Sequence, residues 1–109
     1  MKAKTYWRAN VGRFSLSDMQ AHVSADGGDD MEECGGICAC ESISDLVRNT
    51  VMAVLDDDDQ IVVLHGRHIC DIYDGVRIYP TAVIAEMTKR EFLDRLASSD
   101  ESLYALEVW

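Results

Sequence analysis

Basic residues are scarce in this chain: ten Lys and Arg stand against twenty Asp and Glu, a formal charge of −10. Such a field repels nucleic acid and anionic membrane at long range and favours basic partners. Proline is nearly missing, Pro80 being the single one, and no apolar run approaches the length of a membrane span. The first eight residues, Met1 to Arg8, keep charges where a secretory leader would need an apolar stretch, so a cytoplasmic protein is expected. Its four cysteines, Cys34, Cys38, Cys40 and Cys70, are then expected as free thiols. Also missing are G-x-G-x-x-G, a P-loop, a nucleophile elbow and H-E-x-x-H. The expectation is therefore a protein without enzymatic activity, cofactor or bound metal.

What is present is a folding composition. With 48% hydrophobic residues and only seven glycines in 109 residues, the chain can bury one core, and it is read as a single domain over 1–109. The negative charge is confined. Residues 18–59 hold twelve acids, namely Asp18, Asp26, Asp29, Asp30, Glu32, Glu33, Glu41, Asp45, Asp56, Asp57, Asp58 and Asp59, against Arg48 alone, a net of −11. The rest of the chain, with nine bases and eight acids, sums to +1.

Residues 3–10 carry aromatic β-formers and read as a strand, which makes the amino terminus, with Lys2, Lys4, Arg8 and Arg13, a basic patch. A short helix capped at Ser17 follows, and then a long Gly- and acid-rich loop from Asp26 to Glu41. Ile43, Leu46, Val47, Thr50, Val51 and Val54 recur at helical spacing, which predicts a helix over 43–55 capped by Ser42. Asp56 to Asp59 would then sit at its carboxyl end, where four carboxylates oppose the helix dipole. Runs 60–65, 68–73 and 76–79, separated by Gly66-Arg67 and Asp74-Gly75, predict a three-stranded meander, with Pro80 at an edge or bulge. Thr88 with Glu91 forms a capping box, stapled by Met87 and Phe92, for a helix over 89–98, and residues 102–109 read as a closing strand. The fold class predicted is α+β, a mostly antiparallel sheet of about four or five strands packed with two or three helices.

The acidic block has three physical readings: a cation site, a solvated face, or a surface that replaces phosphate in a basic groove. An EF-hand is excluded because Ile61 and Arg67 stand where its loop needs Gly and Glu. The segment Asp26 to Glu33, if extended, would space alternate carboxylates about 6.6 Å apart, comparable to a row of phosphates. Cys34, Cys38 and Cys40 have a C-x3-C-x-C spacing that matches no zinc knuckle, which leaves a cysteine-based metal-binding or redox-linked regulatory module as the alternative. His65 or His68 would serve an enzyme only beside a concave pocket. Trp7, Tyr73, Tyr79, Tyr104 and Trp109 read as core or sheet-face residues.

In size, charge and its two acidic segments, Asp26 to Glu33 and Asp56 to Asp59, the chain resembles the small acidic inhibitors of phages and mobile elements, the anti-CRISPR and DNA-mimic proteins. The resemblance includes no motif. It implies a non-enzymatic inhibitor that occupies the basic, nucleic-acid-binding groove of a partner protein, such as a CRISPR effector subunit, without itself binding nucleic acid or membrane. The residues expected to meet that partner are Asp26, Asp29, Asp30, Glu32, Glu33, Asp56, Asp57, Asp58 and Asp59.

Overall fold

A computed structural model describes residues 4–11, 13–27, 36–50, 52–72 and 75–108, with the side chains of 22–27, 52 and 108 outside the description. The element order is β1 (Lys4–Asn10), α1 (Leu16–Gly27), β2 (Ile37–Ala39), α2 (Ile43–Asn49), a 3-10 turn at Met52–Val54, β3 (Gln60–Ile72), β4 (Gly75–Thr88), α3 (Lys89–Ala97), α4 (Glu101–Ala105) and a second 3-10 turn at Leu106–Val108. The fold is α+β, with one antiparallel sheet in the order β1-β3-β4-β2.

The sheet is covered on both faces, which explains the unbroken apolar run Ile61 to Leu64. Tyr6, Val62, Leu64, Val76 and Ile78 pack on one side with Met19 of α1. Trp7, Ile61, Val63 and Met87 pack on the other with Ile43 and Leu46 of α2, Phe92 of α3 and Leu103 of α4. The Trp7 and Phe92 rings lie 6.1 Å apart, tilted by 56°. A bridge between Trp7 and Cys40 returns β2 to β1, so the sheet curls back on itself.

Several sequence expectations are corrected. The predicted meander is one long ribbon: β3 runs straight through Gly66-Arg67, pairing with β4 across three register shifts. Gly66 is there for close approach rather than for a turn, since a Cβ on it would lie 2.9 Å from the Tyr79 carbonyl oxygen. β3 and β4 are paired as an antiparallel hairpin from Ile72 and Gly75 onward, with Gly75 already in β4 and residues 73 and 74 outside the described residues; the irregularity at Pro80 stands, beside the shift between His65 and Gly66. The acid-rich loop is interrupted by β2, and α1 extends to Gly27, so Asp26 belongs to a helix. That helix is capped by Ser15 rather than Ser17: the Asp18 amide donates to Ser15 Oγ at 3.2 Å and the Ser15 amide to the Asp18 carboxylate at 3.4 Å.

The predicted 43–55 helix keeps its Ser42 cap but stops at Asn49, where Thr50 turns to extended backbone. Ile43 and Leu46 of its apolar stripe are buried, whereas Val47 is 40% and Val54 77% exposed. The capping box of α3 is present on both bonds. The predicted closing strand is helical instead, because the Asp100 carboxylate accepts from the Ser102 amide and starts α4.

Candidate functional site

The acidic turn Asp56 to Asp59 follows the first 3-10 turn and leads into β3. It is built by short-range bonds: the Asp59 amide donates to the Asp56 carbonyl at 3.0 Å, and the Asp56 amide to the Asp59 carboxylate at 2.8 Å. It is then docked on another element. The Lys89 amide donates to the Asp59 carbonyl at 2.7 Å and the Arg90 amide to the Asp57 carbonyl at 3.2 Å, so the turn satisfies amides that the first turn of α3 leaves open. Lys89 Nζ reaches the Leu55 carbonyl at 2.9 Å.

This placement reverses the electrostatic expectation. The four aspartates do not end α2, which stops at Asn49; they sit against the amino terminus of α3, where the helix dipole favours negative charge. Periodicity alone overlooked this because the pairing of Asp59 with α3 spans thirty residues. The signal within reach was the capping box at Thr88, which marks where a positive helix end would lie.

Asp56, Asp57 and Asp58 are exposed and Asp59 half-buried. Carboxylate oxygens of Asp56, Asp58 and Asp59 lie within 4.8 Å of one another. Arg13 closes one side: its guanidinium donates to the Asp58 carbonyl at 2.9 Å and stands 3.9 Å from the Asp58 carboxylate, with both side chains largely exposed. The loop that presents Arg13 is set by its own amide, which donates to the Asn10 carbonyl at 3.1 Å. Three convergent carboxylates can meet a guanidinium, an ammonium or a hard divalent cation.

Of the other residues singled out in the sequence, Asp29, Asp30, Glu32 and Glu33 lie outside the described residues, and Asp26 is placed by its backbone only. The proposed phosphate row from Asp26 to Glu33 therefore falls largely outside the description, and its start is helical rather than extended.

The cysteines depart from four free thiols. Cys38 is free and exposed, Cys40 is buried, and Cys70 is disulfide-bonded. Among the described residues no cysteine joins a cluster of three metal-ligating groups. His68 pairs with Asp71 at 2.8 Å on the surface, and His65 is half-buried. Among the described residues, no histidine lines the cavity between β1 and β2 or the shallow groove at Val47, Leu96 and Tyr104. Trp7 is buried in the core as expected, whereas Tyr104 is 41% exposed; Tyr73 and Trp109 lie outside the described residues.

No helix among the described residues is long and apolar enough to cross a membrane. Comparison with protein-family models, curated proteins and solved structures finds no match to this chain.

Proposed function

We propose that this chain is a non-enzymatic inhibitor that inserts its acidic turn into the basic, nucleic-acid-binding groove of a partner protein, in the manner of a phosphate mimic. The observation that supports this reading is the turn itself. Three carboxylates gathered within 4.8 Å of one another approach the charge density of a duplex, about one charge per 1.7 Å of axis. Backbone bonds to α3 hold the turn in place, so little further ordering is needed on binding.

In this mechanism Asp56, Asp58 and Asp59, with exposed Asp57 beside them, pair with Lys and Arg side chains that would otherwise hold phosphates, and the groove's counterions are released as they are on DNA binding. The charge of −10 speeds encounter with a basic surface. A CRISPR effector subunit is one partner of this kind. The test is a parallel pull-down with the wild type and the D56N/D57N/D58N/D59N variant from lysate of the cell in which the protein acts. A protein retained by the wild type, lost by the variant and released by added duplex DNA supports the reading; equal capture by both contradicts it.

A further inference from the structure

Among the described residues, the large hydrophobics open to solvent are Val11, Val47, Val54 and Tyr104, and two of these share one place. Val47 and Tyr104 both line the shallow groove where α2, α3 and α4 meet, a volume of about 410 Å³. Single exposed valines are ordinary on a surface, but exposed apolar side chains over a common apolar floor form a patch. Buried Ile43 of α2 is that floor and half-buried Leu96 of α3 a wall, with Ser44 and Arg48 completing the lining.

The form of the groove favours a helix as its occupant. Its volume falls within the range of small-ligand sites, about 300–1,000 Å³, but it is too shallow to take a small molecule out of water. No strand lines it among the described residues, so an extended peptide finds no ladder to join. A helix arrives with its backbone bonds already made and needs only an apolar ridge to lay between its neighbours.

The charge around the groove favours a basic occupant. The Glu107 carboxylate accepts from the Ile43 amide at 2.7 Å, Asp45 lies 3.6 Å from the Arg48 guanidinium and offsets it, and exposed Glu101 precedes Tyr104 by one turn on the same face of α4. Arg95, beside Leu96 in sequence, is held by Asp100 and Ser102. Three acids thus stand around the groove against Arg48, and a second copy of this chain, itself at −10, would meet like charge there.

We propose that this groove receives a basic amphipathic helix of a partner protein, its apolar ridge on Val47, Leu96 and Tyr104 and its Lys and Arg side chains toward Asp45, Glu101 and Glu107. Leu96 lies seven residues along α3 from Lys89, which places the groove about 10 Å along that helix from the end that carries the acidic turn. The groove is lined by none of the turn's residues, and the proposal does not rest on the function assigned to the turn.

The test follows the methyl resonances of Val47 and Leu96 and the Tyr104 ring in the full chain as a Leu/Lys peptide is added, about eighteen residues long with leucine at helical spacing. The control is a scrambled peptide of the same composition, equal in charge but without an apolar face. The amphipathic peptide is expected to move the groove signals saturably, in the wild type and in D56N/D57N/D58N/D59N alike, and the scrambled one to leave them in place. V47S/Y104S alters side chains already open to solvent, so the fold should persist, and it should weaken the peptide roughly tenfold or more. No saturable shift, an equal response to both peptides, or undiminished binding by folded V47S/Y104S would overturn the proposal. Groove shifts that appear with rising protein concentration alone, the mark of a second copy, would overturn it as well.

Discussion

The Lys89 amide donates to the Asp59 carbonyl at 2.7 Å, and through this bond the acidic turn sits on the amino-terminal end of α3. Four aspartates that would strain the end of one helix thus stand where the dipole of another favours them. The charge is exposed to solvent and anchored by main chain, so substitutions can alter the charge while the main-chain bonds remain.

The variant that tests the charge follows from this geometry. Lysines at 56–59 would place positive charge against the positive end of α3 and remove the carboxylate that accepts from the Asp56 amide. Asparagines cancel the charge and keep an acceptor at 59. Asp59→Asn should therefore cost less in urea denaturation than Asp59→Ala, which also loses the acceptor and should cost about 1 kcal/mol, the usual loss with one hydrogen bond.

The core of the helical face predicts a graded series. Thr88→Ala removes one bond of the capping box and should cost about 1 kcal/mol, while Phe92→Ala, beneath Trp7, should cost about 3–5 kcal/mol. Urea midpoints that fall in the reverse order would contradict this packing.

Asp100 carries the clearest pH dependence. Bonds from the Ser102 hydroxyl, the Ser102 amide and Arg95 hold its carboxyl below the usual carboxylate range. Its folded value is depressed, so its contribution is present above the ordinary carboxylate pKa and is lost as pH falls through the folded value. Asp100→Asn should flatten that acid limb of stability against pH; an unchanged limb would argue against the α4 cap.

The thiols should separate by environment. In the native, unreduced protein iodoacetamide should label exposed Cys38, leave buried Cys40 until unfolding, and leave Cys70 until reduction. Peptide mass spectrometry reads all three. Labelling of Cys70 before reduction would return the chain to the free-thiol expectation.

Signals carried by neighbouring residues were the ones legible in the sequence. The Thr88 and Glu91 capping box and the Ser42 cap each lie within four residues, and each stands. Those needing a distant partner were not legible. The apolar stripe from Ile43 to Val54 predicts where a helical face would fall, but the turn at Thr50 leaves Val54 outside the core. Gly66-Arg67 has turn chemistry, yet Gly66 serves the close passage of Tyr79 on β4. The aromatic ending has the composition of a strand, and the Asp100 cap before it makes it helical. Of the candidate site, the run Asp56 to Asp59 is legible in the sequence as adjacent acids, but its place against a helix dipole is not, since only the fold brings it to Lys89 and Arg90.

The most direct measurement is the anisotropy of a labelled DNA duplex bound to the captured partner as this protein is added. The wild type should displace the duplex, displacement should weaken with rising salt, and D56N/D57N/D58N/D59N should require at least about tenfold more protein, a loss of about 1.4 kcal/mol. A duplex that stays bound while the wild type occupies the partner, or equal displacement by the folded variant, would contradict it.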